Sequence, residues 1–273
     1  MNPQHHRIGL LAATLLVVPG VADADQARND RDKPSSAAPA KTDRARFISY
    51  QLEAGVASTH VTRGVPRYDA KSIPSLYNLV NLRVRGLGPG VLSLGGTSAL
   101  ALAPTPETRG RSLELLPTIT YGGRIGPMQL DVGARLFLFP RAEVVDAQYE
   151  GVVRASLPNP YLTPTLEIYP EVRRRKGAFV IVGLERTFNP SRWLRIRPRV
   201  AASEQGYVVN DERPHGQDVT ASVQVHVSVP ESPFYVVARP AYSVLAGPDR
   251  LYDDPSFSGR SVAYATVSLG VQR

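Results

Sequence analysis

VTASVQVHVSV, residues 219 to 229, sorts its side chains into two sets. Val219, Ala221, Val223, Val225, Val227 and Val229 fall on one phase; Thr220, Ser222, Gln224, His226 and Ser228 fall on the other. A helix of about 3.6 residues per turn would mix the sets, whereas an extended chain sends alternate residues to opposite faces. The stretch is therefore a strand with one oily face. That face needs an apolar partner, which is a second sheet in a soluble sandwich and lipid in a membrane barrel.

The same alternation recurs from about residue 46 onward. It predicts twelve strands, over residues 47–57, 76–85, 91–101, 112–122, 128–139, 149–157, 162–169, 178–187, 193–202, 219–229, 234–243 and 262–271. GLGPG, GRIGP, PNP and NPS make short, turn-rich joints within pairs of these strands. The alternate joints are longer, at 58–75, 102–111, 140–148, 170–177, 203–218 and 244–261. Alternating short and long connections are what an outer-membrane barrel requires, with short periplasmic turns and longer external loops. The expected fold is thus all-β, an antiparallel transmembrane β-barrel of about twelve strands. A closed structural or surface-interaction barrel and a secreted soluble β-sandwich are the alternatives.

The N-terminal end agrees with export. His5, His6 and Arg7 precede an apolar run from Ile8 to Val21, and Ala22, Asp23 and Ala24 fit a small-x-small cleavage site. Residues 1–24 read as a signal peptide, 25–45 as a polar, disordered leader and 46–273 as the barrel. The 273-residue chain carries a net charge of +8 and no cysteine, which removes disulfides and thiolate chemistry. Nucleic-acid binding is a poor reading of that charge, since no recognition motif accompanies it.

Aromatic residues gather near predicted strand ends. Tyr121, Tyr161, Phe188, Trp193 and Phe234 adjoin the short turns, and Tyr77, Phe139, Tyr149, Tyr169, Tyr242 and Tyr264 adjoin the long loops. Two interfacial girdles are expected from them. Pro117, Pro164, Pro198 and Pro240 oppose the assignment locally, because proline offers no N–H to a ladder.

Function would reside on the polar phase, which faces the lumen. That phase collects Arg83, Arg85, Arg135, Arg154, Arg195, Arg197, Arg199 and Arg239 against Glu53, Glu114, Asp131, Glu150, Glu167 and Glu185. Three arginines repeat at every second residue from Arg195 to Arg199, so their row repels itself unless carboxylates or anionic solutes compensate. Two readings follow: an internal salt-bridge network that plugs a narrow barrel, or an arginine track that guides anions. The second is similar in architecture to twelve-stranded porins for acidic oligosaccharides.

Catalysis has one candidate pair, His226 and Ser228, which share a face but lack a carboxylate on their strand to orient the imidazole. His60 and His215 are isolated, and Asp253 with Asp254 is too sparse for a calcium site. The basic run Arg173, Arg174, Arg175 and Lys176 suits a solvated turn or lipopolysaccharide phosphates. The expectation is a non-enzymatic protein without cofactor or metal.

Residues 54–82, AGVASTHVTRGVPRYDAKSIPSLYNLVNL, resemble the opening of the TorF-type porins, through Arg63, Gly64, Val65 and Pro74. Residues 162–188 are similar to a later hairpin of that family, through Pro164, Leu166, Tyr169, Gly177 and Glu185. The chain departs from the pattern at Val61, and at Arg273, where such barrels usually present an aromatic residue. The resemblance implies an outer-membrane barrel without catalytic residues to carry over. The expected function is a porin-like channel for small, anionic solutes. Outer-membrane lipid, lipopolysaccharide and the barrel assembly machinery are the expected partners.

The N-terminal reading predicts that the mature chain starts near Asp25 and partitions with outer-membrane fractions, migrating differently on gels before and after heating. N-terminal sequencing and fractionation check this; recovery as a detergent-free soluble monomer would contradict it.

Overall fold

The computed structural model describes residues 47–59, 61–62, 65–66, 73–103, 113–140, 147–172, 176–208, 215–246 and 261–273. The expected signal peptide and leader, His60, Arg63, Gly64, Arg173, Arg174, Arg175, Asp253 and Asp254 lie outside these residues. Twelve barrel strands follow in chain order: β1 (Ile48–Ala57), β2 (Ser75–Arg85), β3 (Val91–Ala101), β4 (Leu113–Ile125), β5 (Met128–Phe137) and β6 (Gln148–Ser156), then β7 (Thr163–Pro170), β8 (Lys176–Glu185), β9 (Leu194–Val208), β10 (His215–Ser228), β11 (Phe234–Ala246) and β12 (Ser261–Gln272). Each pairs antiparallel with the next. β12 then returns to β1, from Gln51↔Gln272 to Ala57↔Thr266, and closes the sheet. Closure leaves no open edge, which lipid demands because it offers backbone groups no hydrogen bond. A small hairpin, Val61–Thr62 against Val65–Pro66, sits outside this sheet.

The expected strand order and number hold, and the main differences are at the ends. β9 and β10 continue beyond the expected boundary, pairing as far as Gly206↔His215, so much of the connection expected at 203–218 is ladder. β9 has 15 residues; at about 3.3 Å each and a tilt near 40° it rises well above an apolar band roughly 25 Å tall. The alternation of joint lengths also weakens at one hairpin. β7 and β8 are joined through 171–175, while the turn at the opposite end spans 186–193 and folds Phe188–Ser191 back against β9. Between β4 and β5 the turn tightens to Gly126 and Pro127, with Ile125 paired to Met128 and Gly126 at φ 60°, as a type II′ turn needs at its first position.

Register explains the four prolines. Pro164 and Pro198 sit where a hairpin partner is leaving: each carbonyl still accepts an N–H, from Leu157 and Arg186 at 3.1 Å, and the ladder stops there. Pro117 and Pro240 sit in gaps. The β4–β5 ladder skips from Thr118↔Arg135 to the bridge Leu115↔Leu138, and the β10–β11 ladder skips from Ser222↔Ala241 to Val225↔Ala238. On their other flank all four remain in register, with Gly96, Leu184, Val223 and Ala265. Each missing donor thus faces a side where pairing is already absent.

The barrel turns its oily phase outward. Val80, Val182, Val200 and Leu269 are 53%, 57%, 53% and 69% exposed, a degree that a soluble surface does not sustain over a whole circumference. Tyr121, Tyr161, Phe188, Trp193 and Phe234 are exposed at the short-turn end, giving one aromatic girdle. The second girdle is corrected: Tyr77, Phe139 and Tyr169 are buried. Their phase is that of Arg83, Arg135 and Glu167, so they point into the barrel. Tyr242 stays exposed on the outer phase.

An arginine at Val80, mid-strand and outward, should therefore cost about 2–4 kcal/mol. The loss is expected as a lower yield of heat-modifiable barrel and a lower denaturant midpoint in lipid.

Candidate functional site

Strand alternation carries all fourteen charged residues of the polar phase to the inner wall. Glu53, Glu114, Arg135, Glu150, Glu167, Glu185, Arg197 and Arg199 are buried, while Arg83, Arg85, Asp131, Arg154, Arg195 and Arg239 are half-buried. Isolated charges in such a place would be strongly disfavoured, so pairing is the first thing to look for.

Two charge centres organise the wall. In the first, the Arg135 Nε donates to Glu150 Oε2 at 2.7 Å, with Nη2 at 2.6 Å from the same oxygen. The Arg135 guanidinium lies 3.6 Å from the centre of the Tyr169 ring, and the Tyr169 hydroxyl donates to Glu167 Oε2. Glu167 receives Arg199 Nη2 at 2.7 Å and stands 3.5 Å from Arg154 Nε. In the second centre, Glu53 accepts two hydrogen bonds from Arg239 Nη2, at 2.9 and 2.8 Å. It also accepts from Tyr235 at 3.1 Å, Ser268 at 3.0 Å and Gln51 at 2.9 Å. These bonds hold β1, β11 and β12 together from inside, beside the pairing that closes the barrel.

Glycines make room for the longer reaches. Arg199 on β9 meets Glu167 on β7 by lying over Gly183 of β8, where a Cβ would come within 3.1 Å of Nε and 3.2 Å of Nη2. Tyr235 reaches Glu53 over Gly270, where a Cβ would strike the phenol ring. The sequence shows these glycines, but the crossing is visible only once three strands are in register.

The lumen is unequal end to end. Tyr77, Phe137, Tyr169 and Phe179 are buried towards the long connections, Val152 and Ile181 are buried near mid-strand, and Val237 is buried close to the short turn that precedes β11. Val152, Tyr169, Phe179, Ile181 and Ala201 form one apolar cluster, and Leu116, Phe137 and Phe139 form another. Towards the short turns, Arg83, Arg85, Ser93, Asp131, Arg195 and Gln224 are only half-buried. A small cavity of about 60 Å³, lined by Asn81, Ser93, Thr118, Thr120, Arg135 and Arg154 among others, has room for a few waters.

The row Arg195, Arg197 and Arg199 faces inward. Arg199 is tied to Glu167, and Arg197 is 5% exposed. Reading the sequence missed the aromatic and aliphatic filling, although a signal existed: Phe137, Val152, Ile181 and Val237 share phase with Arg135, Arg154, Glu185 and Arg239. His226 and Ser228 share the inner phase as expected; the imidazole stacks on Tyr235 with ring centres 4.5 Å apart.

Neither a protein-family model nor the sequence of a curated protein matches the chain, so the TorF-type resemblance rests on its motifs alone. Solved structures share the fold. LpxR from Salmonella typhimurium aligns over 81% of this chain and 99% of its own, with TM-score 0.46 and 10% identity. OmpT, an outer membrane protein of Vibrio cholerae, aligns over 83% and 96%, with TM-score 0.40 and 8% identity. A mutant porin of Rh. blastica aligns over 83% and 99%, with TM-score 0.29 and 8% identity. The expectation of a non-enzymatic protein is corrected: a barrel fold by itself gives no ground for excluding catalysis.

Replacing Glu167 by Gln leaves two cations without their carboxylate and should cost about 3–5 kcal/mol. Denaturation in lipid, followed by Trp193 fluorescence, measures it. Changing Arg135 and Glu150 together to Leu should cost far less than changing either alone, since no lone charge is then left inside.

Proposed function

We propose that the protein is a porin-like barrel of the outer membrane, with its short turns in the periplasm, a preference for small anions, and a lumen that is shut in its outer half. The burial gradient carries this reading. Charged side chains stand half-exposed towards the short turns, whereas Phe137 and Phe179, at 0–1% exposure, fill the space towards the long connections, with Ile181 buried at mid-strand. A solute entering from the short-turn side meets Arg83, Arg85 and Arg195 first and then an apolar barrier.

An apolar constriction stops ions by excluding their water, and rings of fixed charge set which ions approach it. Arg83, Arg85 and Arg195 stand towards the mouth, the inner wall carries eight arginines against six carboxylates, and Glu53, Glu150 and Glu167 are matched by Arg239, Arg135 and Arg199. The surplus is cationic, so the approaching ion is an anion. The TorF-type motifs and the oily exterior support the same membrane placement.

Planar bilayers test the reading. Wild-type protein is expected to show no steady current. The triple variant Phe137→Ala, Phe179→Ala, Ile181→Ala should conduct, with reversal potential favouring anions. Adding Arg195→Ser, Arg197→Ser and Arg199→Ser should move that potential towards cations, an effect that fades as salt shortens the screening length to about 3 Å at 1 M. Steady porin-sized current through the wild type would refute the closed lumen. A folded, non-conducting triple variant would refute the porin reading.

A further inference from the structure

The inner wall of β7, β8 and β9 holds an imbalance that the ion pairs leave standing. Its buried atoms without a hydrogen-bond partner among the described residues are three donors, Arg197 Nε and Nη1 and Arg199 Nε, one hydroxyl that can donate or accept, Thr165 Oγ1, and one acceptor, Glu185 Oε2. Thr165 Oγ1 and Arg199 Nε converge on one point, since a Cβ on Gly183 would lie 2.7 Å from the first and 3.1 Å from the second. Glu185 is directly across from Arg199 in the register, and Arg197 is two residues along the same inward row. Glu185 attracts Arg197, while Arg195, Arg239 and Arg199 repel it. Arg199 and Arg239 have carboxylates of their own in Glu167 and Glu53, so Glu185 is left to face Arg195 and Arg197, and the Arg197 guanidinium, 5% exposed, keeps two nitrogens unpartnered. Such a group is costly unless an acceptor meets it.

We infer that the lumen beside Arg197, Arg199 and Thr165 is a binding site for a small oxyanion, a phosphate or carboxylate group, reached from the short-turn end. The donors are of the kind that oxyanions accept, because charge-assisted bonds from several N–H groups can share one phosphate or carboxylate. Glu185 competes for the same donors and limits affinity. Arg195, half-buried one step nearer the short turns, draws the anion inward. The inference deepens the proposed anion preference and rests on that placement of the lumen, yet it requires only that the short-turn mouth be open, not that ions cross the barrel.

The test is calorimetric titration of the refolded, heat-modifiable full chain in neutral detergent at low salt, with inorganic phosphate and, separately, acetate. Binding of either by the wild type is expected; phosphate alone would mark a phosphoryl ligand and acetate alone a carboxylate. Arg197→Gln should weaken binding by about tenfold or more, the scale of losing hydrogen bonds to a charged group, and Arg195→Gln should weaken it less. Glu185→Gln should tighten it, whereas a merely structural Glu185–Arg197 pair would give a less stable barrel and no tighter binding. Should Arg197→Gln fail to fold, the Glu185 and Arg195 variants still decide the matter. No binding by the wild type, equal binding by Arg197→Gln, or weaker binding by Glu185→Gln would overturn the inference. Because no current is measured, these outcomes stand apart from failure of the channel reading, which the bilayer experiment alone reports.

Discussion

Ring closure is the constraint on which everything else depends. Once β12 pairs with β1, from Gln51↔Gln272 to Ala57↔Thr266, every second side chain of twelve strands must share one enclosed space and the others must face outward. Lipid accepts the outward set because it is mostly Val, Leu, Ile, Ala and Pro. The inward set has no such freedom. Its charges must be matched within the wall, its bulk must fit the bore, and a slip of one residue would exchange the two sets completely.

The matching is done at carboxylates that serve several strands at once. Glu53 gathers Arg239, Tyr235, Ser268 and Gln51 across the closing seam, and Glu167 gathers Arg199, Arg154 and Tyr169 on the far wall. Arg199 reaches Glu167 over Gly183 and Tyr235 reaches Glu53 over Gly270, because a side chain at either glycine would occupy the path. Prolines solve the opposite problem on the outer phase. They stand where a ladder has ended or is interrupted, so the backbone loses no bond that the register would otherwise have made.

Filling and charge are then divided along the axis. The arginines nearest the short turns remain in contact with solvent, and the aromatic and aliphatic residues near the long connections do not. In the function proposed above, this division is what would give the lumen a basic mouth and an apolar stop. It also explains how so many arginines coexist: some are neutralised in pairs, some are solvated at the mouth, and Arg197 is neither.

Alternation along the chain is enough to read the barrel, its twelve strands in order, and the face on which each charged residue lies. All of these follow from period two, a local property of the chain that needs no partner to be read. The strand ends were legible less well, since β9 and β10 pair beyond the oily stretch and the oily stretch was the signal. Tyr77, Phe139 and Tyr169 were misread as girdle residues because their type was weighed above their phase. Which inward groups meet is set by the closed barrel and not by alternation. Glu53 lies 182 residues from Tyr235 and 186 from Arg239, and Arg199 lies 32 from Glu167. Closure and register bring such residues together, and no spacing along the chain records the bore of the barrel or the glycine over which a side chain must pass.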